Sequence, residues 1–256
     1  MTLNMPYDAF GLYYAYYDLL YRDKDYNKEG HYVAEILRRH NPGAQTILEL
    51  GSGTGNYSKI LANLGFIVTG IEQNERMMSL AKAKSIPDFN GLVDNIVFFE
   101  TDIRFDAVVS LFHVISYLNY NEEIKACFKR TAQHLKPRGI FIFDVWYTPA
   151  VYTQRPAARM KRVENEVVEI VRFAQPSLIY EENRVEVKYQ LFIKDKSSGH
   201  YEALNEIHSL RHFSTPEISL FAEEAGFSVI ETEEFLTAKS PCADTWGVCY
   251  ILQKND

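Results

Sequence analysis

Short apolar runs alternate with amphipathic segments through the first half of the chain. Residues 46–50 (TILEL), 66–72 (FIVTGIE), 95–100 (NIVFFE), 105–112 (FDAVVSLF) and 139–146 (GIFIFDVW) read as buried strands, and residues 56–64, 75–84 and 121–135 repeat apolar positions at helical spacing. Strands alternating with helices predict right-handed crossovers and a parallel sheet covered on both faces. Ahead of them, residues 7–40 read as helical. Their first part is dense in tyrosine (Tyr13, Tyr14, Tyr16, Tyr17, Tyr21, Tyr26); their second, KEGHYVAEILRRH, is amphipathic and is stopped by Asn41-Pro42-Gly43.

After Trp146 the pattern changes. Residues 163–173, 184–194 and 201–213 alternate Val, Ile and Tyr with charged residues, and residues 196–199 suit a hairpin turn, so an antiparallel insertion is expected. Residues 215–225 return to helical spacing, Gly226 is a good helix stop, and residues 227–236 and 246–253 read as two final strands. The domain division expected from this is a helical cap over 1–40, a main domain of 41–149 with 214–256, and an insertion over 150–213.

The stretch richest in chemistry is ILELGSGTGN, residues 47–56. A strand running into Gly51-x-Gly53-x-Gly55 and then a helix lets backbone approach a ligand closely, because glycine has no Cβ in the way. A nicotinamide or flavin fingerprint wants a glycine at position 56, where Asn56 stands. Glu72 ends the next run about 20 residues further on, where an open α/β sheet presents a carboxylate to ribose hydroxyls.

Composition narrows the picture. The 256 residues are 46% hydrophobic and 24% charged, which suits one elaborated globular domain or two small ones. With 27 Lys and Arg against 34 Asp and Glu the formal charge is −7, the wrong sign for a polyanion-binding surface, so no nucleic-acid partner is expected. Three scattered cysteines (Cys127, Cys242, Cys249) form neither a disulfide framework nor a zinc set, so a reduced, cytoplasmic setting and no metal are expected. The start, MTLNMPYDAF, lacks the plan of a signal peptide, and no apolar stretch approaches the ~20 residues that span a bilayer. Seventeen Tyr and 16 Phe leave an aromatic excess to be explained.

ELGSGTG, GIEQNERMM, ETDIR, FDAVVSLFHVISYL and HLKPRGIFIFDVW, in that order, resemble the successive motifs of class I S-adenosylmethionine-dependent methyltransferases. The resemblance implies a Rossmann-like α/β sheet of seven strands with its last hairpin antiparallel, here carrying an antiparallel β insertion. It implies a cofactor site in which the turn of Gly51, Ser52, Gly53 and Gly55 faces the methionine part and Glu72 the ribose, with Glu49 and Asn56 among the cofactor-binding residues. Gln73 and Met77 would flank adenine, with plain helix core as the other reading of Met77. Asp102, with Thr101 and Ile103, would read the adenine edge, and Leu111 and Phe112 would complete the cleft. The flanks YDLLY with KDY, VWYTPAVY and NEIHSLRHFSTPEISLFAEEAGF are similar to small-molecule N-methyltransferases that dimethylate nucleotide-linked amino sugars. In that group the tyrosine-bearing leader folds over the cofactor, and Tyr17 and Tyr21, sharing a helix face, are the expected contacts. One departure stands out: ETDIR runs straight into FDAVV, whereas a parallel crossover needs on the order of ten residues. Either the loop is severely shortened or residues of the natural chain are missing between Arg104 and Phe105, and the second is preferred.

Methyl transfer to nitrogen needs an unprotonated acceptor aimed at the methyl carbon. At the end of the fourth strand His113 is the candidate base, with an unperturbed pKa near 6.5; hydrogen bonding in the cleft wall is its other reading. Tyr117 and Tyr14 are candidates for orienting the acceptor. Trp146 and Tyr147 would line its mouth. Arg155, Arg159, Lys161 and Arg162, with Arg211 and His212 later, make a positive cluster that either holds a diphosphate or protects a strand edge. Among these, Arg159 and Arg211 are the expected substrate contacts. Methylation of a sugar hydroxyl, carboxylate or phosphate-linked group is the alternative activity, and a non-catalytic cofactor sensor a more distant one. A monomer or homodimer is expected.

Overall fold

A computed structural model describes residues 13–256. The helix expected over 7–40 begins outside them, and its described part is broken. A 3-10 turn, Tyr13–Tyr16, leads into the short α1 (Tyr17–Leu20), and α2 (Tyr26–His40) starts afresh where the Asp25 side chain accepts the Lys28 N–H at 2.9 Å. Such a cap satisfies an amide left open at a helix start, so the break costs little. There follow β1 (Thr46–Leu50), α3 (Asn56–Asn63), β2 (Ile67–Glu72), α4 (Glu75–Ala83), β3 (Phe89–Val93), β4 (Phe105–Ser110), α5 (Asn121–His134) and β5 (Leu135–Trp146). Then come α6 (Thr148–Gln154), β6 (Arg159–Glu164), β7 (Val168–Ile179), β8 (Arg184–Asp195), β9 (Tyr201–Arg211), α7 (Thr215–Glu224), β10 (Phe227–Glu234) and β11 (Gly247–Lys254).

The described residues divide into two compact units, one of residues 25–154 and 211–256, the other of 155–210 with residues 13–24. Helices α2 and α6 therefore belong with the main sheet. In the larger unit seven strands lie in the order β10-β11-β5-β4-β1-β2-β3, parallel except for β11, which runs antiparallel to both β5 and β10. Alternate residues feed opposite faces. Leu48, Leu50, Val108, Phe141 and Phe143 pack with Phe128 of α5 and Phe221 of α7; Ile47, Val68, Val109, Ile140 and Ile142 pack with Val33, Ile36 and Leu37 of α2 and Leu61 of α3.

The third strand is not where the apolar run put it. Residues 95–100 form a turn: the Asn95 side chain accepts the Val97 N–H at 2.8 Å, its carbonyl accepts the N–H groups of Phe98 and Phe99, and Phe98 is 58% exposed. The strand is Phe89–Val93, parallel to β2 from Val68↔Phe89 to Glu72↔Val93. The physical reason is chain length: β4 begins at Phe105, and only the earlier strand leaves residues 94–104 to make the crossover. In this structure residues 94–104 carry the crossover from β3 to β4.

The smaller unit holds a four-stranded antiparallel sheet, β6-β7-β8-β9. One strand more than expected arises because Asn165 Oδ1 accepts the N–H groups of Val167 and Val168, both at 2.8 Å, folding a hairpin inside a run that reads as a single strand. The expected turn at 196–199 is present, organised by the Asp195 carboxylate, which accepts the Ser197 and Ser198 N–H groups. Val163, Ile170, Leu191, Ile193 and Leu204 pack here with Tyr13 and Leu20.

Candidate active site

β1 ends at Leu50, and residues 51–55 turn the chain into α3 with φ of +71° at Gly51, +55° at Gly53 and +77° at Gly55. The N–H groups of Gly51 and Ser52 both donate to the Ile71 carbonyl, at 2.8 and 2.9 Å, which ties the turn to the end of β2. A Cβ on Gly51 would fall 2.6 Å from the Val114 methyls, so that position is closed by packing. A Cβ on Gly53 would meet only the Met77 Cε, at 3.6 Å, so there the backbone stays open to a ligand. The Glu72 carboxylate joins the two loops, Oε2 accepting the Gly53 N–H at 3.0 Å and Oε1 the Asn74 N–H at 2.9 Å. Burial raises its pKa, against the lowering pull of those backbone donors. Ser52 Oγ, seated against Gly70 of β2, is buried with no hydrogen-bond partner among the described residues.

Glu49 points to the α2 and α3 side of the sheet, where it is 1% exposed and accepts the Ser58 hydroxyl. Burial pushes its carboxyl up to about 8, with the charge of Glu72 adding to the rise. Asn56 Oδ1 accepts Lys84 Nζ at 2.7 Å, and Gln73 Oε1 accepts the Asn95 amide at 3.2 Å. Met77 is buried, on the turn side of α4.

Beyond β4 lie Leu111, buried, and Phe112 and His113, which both take left-handed backbone angles, φ +65° and +63°. Two consecutive non-glycine residues there cost energy that the surroundings must hold in place. Val114, next in the chain, is the residue seated on Gly51, so His113 is anchored beside the glycine turn. Its Nδ1 stands 2.7 Å from Asp144 Oδ2 and its N–H donates to Asp144 Oδ1 at 3.3 Å; the Nδ1 contact is a close ion-pair approach out of line for a well-formed hydrogen bond. Trp146 sets its ring edge to His113 at 5.9 Å. Tyr147 bridges to Phe213, and Tyr117 closes the 3-10 turn Val114–Tyr117, half-buried.

Other expected residues stand elsewhere. Thr101, Asp102 and Ile103 precede β4, so they lie at the edge of the sheet opposite the glycine turn; the Thr101 N–H donates to His134 at the end of α5. Because the third strand ends at Val93, Asp94 and Asn95 take the place beside Glu72 and Gln73, the Asp94 N–H donating to the Glu72 carbonyl at 3.2 Å. Arg211 is committed to the fold: Nη1 donates to Asn121 Oδ1 at 2.8 Å and to the Asn119 carbonyl, Nη2 to Glu217, and the guanidinium lies over Phe213 and Phe221. Burial, then the neighbouring Arg211, pushes His212 down to about 4, so it carries no charge at neutral pH.

In the smaller unit Lys161 pairs with Asp23 at 2.6 Å and Arg162 with Glu169 at 2.8 Å, while Arg159 is exposed on edge strand β6. These bonds commit two of the four clustered cations, Lys161 and Arg162, to ion pairs. Tyr14 is half-buried there, the Tyr17 and Tyr21 rings lie 4.9 Å apart, and Arg172 Nη1 donates to the hydroxyls of Tyr13 and Tyr21 at 2.7 and 3.3 Å. Among the described residues no His, Cys, Asp and Glu side chains converge as a metal site, and no helix is long and apolar enough to cross a membrane.

Asp144 was not among the expected site residues. Its signal is the carboxylate that interrupts IFIFDVW, an expensive residue inside a buried strand unless it has partners.

Comparison with known proteins agrees with this geometry. The family described as a methyltransferase domain matches residues 48–141. A dTDP-3-amino-3,6-dideoxy-alpha-D-glucopyranose N,N-dimethyltransferase of Streptomyces fradiae is 30% identical over 215 residues, 83% of this chain and 82% of that protein. A dTDP-3-amino-3,4,6-trideoxy-alpha-D-glucopyranose N,N-dimethyltransferase of Streptomyces venezuelae is 27% identical over 83% of this chain and 89% of its own. A sugar N-methyltransferase structure from Streptoalloteichus shares the fold at a TM-score of 0.80, with 23% identity over 94% of this chain and 93% of that one. The parallel sheet closed by an antiparallel hairpin, with a glycine turn facing an acidic strand end, is a Rossmann-like α/β arrangement, and the chain belongs to the S-adenosylmethionine-dependent methyltransferases. The open backbone at Gly53, the orphaned Ser52 hydroxyl and the Glu72 carboxylate fit that cofactor.

Proposed function

We propose that the protein methylates the amino group of a nucleotide-linked sugar. S-adenosylmethionine supplies an electrophilic methyl carbon on a sulfonium. Residues 51–55 and Glu72 hold it, and Asp94 and Asn95 line the edge beside Gln73. His113 receives the proton that an acceptor ammonium must lose, and Trp146 and Tyr147 give the acceptor an apolar wall. The observation that carries the reading is the anchoring of His113 beside the glycine turn, through Val114 on one side and Asp144 on the other. A base there meets the acceptor where the methyl carbon is delivered. The names of the relatives, dTDP-amino-sugar N,N-dimethyltransferases, support the acceptor class. Three unpaired cysteines support a reducing, cytoplasmic setting.

The test is transfer of isotope-labelled methyl groups from S-adenosylmethionine to dTDP-linked 3-amino and 4-amino sugars, read by mass. One or two added methyl groups on nitrogen are expected. Label on a sugar oxygen or carboxylate alone would replace the reading with the O-methylating one. Tight cofactor binding with no transfer to either acceptor class would replace it with a sensor.

A further inference from the structure

We infer that Asp144 is a positioning residue that fixes His113 as its Nδ1–H tautomer and so makes Nε2 the basic nitrogen. The inference rests on the reading of His113 as the base. One carboxylate grips the same residue twice: Oδ1 accepts its backbone N–H at 3.3 Å and Oδ2 lies 2.7 Å from its ring Nδ1. The first contact helps hold a backbone conformation that is costly for any residue with a Cβ, φ being +65° at Phe112 and +63° at His113. The second sets a carboxylate oxygen close to Nδ1, and that negative neighbour favours the proton on this nitrogen even where the contact is not a well-aligned hydrogen bond.

The surroundings leave this carboxylate few other tasks. Asp144 is 1% exposed on central strand β5. Across the pair Asp144↔Cys249 it faces a thiol that burial holds well above its ordinary pKa, hence neutral; past that thiol stand Tyr32 of α2, also raised by burial, and Glu233 of β10, to which Tyr32 donates at 2.6 Å. His113 meets the rings of Phe112 and Trp146 on its other sides, neither of which titrates. His113 is therefore the ionisable side chain whose ring lies directly against the Asp144 carboxylate. A carboxylate buried at that depth needs partners of its own, and His113 supplies a backbone donor to one oxygen and a ring nitrogen close to the other.

Two measurements test this. In the unmodified protein, long-range 1H–15N correlation of the His113 ring above its titration should show the proton on Nδ1; a proton on Nε2 overturns the inference. Asp144→Asn presents an amide donor to Nδ1 when its oxygen keeps the backbone N–H, which selects the other tautomer. For that variant we expect the ring signal to switch to Nε2–H, kcat to fall by about 100-fold or more, KM for the cofactor to hold, and the acid limb of the kcat profile to move to lower pH. A folded Asp144→Asn protein with kcat within about twofold of normal and an unmoved acid limb overturns it. Should His113→Ala keep normal turnover, the base reading falls, while the tautomer measurement still decides separately whether Asp144 sets the ring.

Discussion

Glu72 is held at both oxygens by backbone N–H groups of two different loops, so its position is set before any ligand arrives. Replacing it by Ala removes the proposed ribose acceptor and the carboxylate that holds the Gly53 N–H. Cofactor affinity by calorimetry should fall at least tenfold in Glu72→Ala, whereas His113→Ala should bind cofactor normally and lose turnover. Glu49 makes a different demand. Its carboxyl is raised to about 8 by burial, so between about pH 4.5 and 8 the folded state holds a proton that the unfolded chain releases. The stability it contributes is therefore full below that window and lost as pH rises through it. Thermal melts should show Glu49→Gln gaining on the natural protein as pH goes from 5 to 8.5; a constant difference would mean that Glu49 is charged in the fold. At this scale the sequence was most legible where geometry is local. Residues 51–55 and Glu72 stand where a strand, a turn and a strand end must put them, while Asp144 met His113 only through pairing of β4 with β5.

At the scale of elements, chain length overruled hydrophobicity. NIVFFE is the more apolar run, yet Phe89–Val93 is the strand, because a parallel neighbour starting at Phe105 needs the residues between. Val97 and Phe99 still bury their side chains from the turn, so the apolar run keeps its core role without its hydrogen-bond ladder. Amide hydrogen exchange should be slow for ladder donors in residues 89–93 and fast at Phe98 and Glu100; slow exchange through 95–100 would restore that run as the strand. The same register explains why Asp94 and Asn95, not Asp102 and Ile103, stand beside Gln73. In the smaller unit Asn165 divides a continuous alternation into β6 and β7 with a side-chain turn, a signal of one residue inside a strong period-two pattern.

For the molecule as a whole, the larger unit gathers the cofactor turn, His113 and Asp144, so ligand binding should be felt in its unfolding. At a cofactor concentration 100 times Kd, mass action stabilises the folded state by about 2.7 kcal/mol. Differential scanning fluorimetry should show a rise in Tm with S-adenosylmethionine, and Glu72→Ala should lose it at the same concentration. The alternation of strand and helix, the glycine turn and the change to antiparallel patterning after Trp146 were set by the order of residues alone, because each depends on neighbours a few positions apart. Which apolar run became the third strand, which arginines were spent on ion pairs and aromatic faces, and which carboxylate faced the histidine were decided by tertiary structure. Those outcomes depend on groups far apart in sequence competing for the same partners, and burial, crossover length and charge pairing settle that competition only once the sheet is assembled.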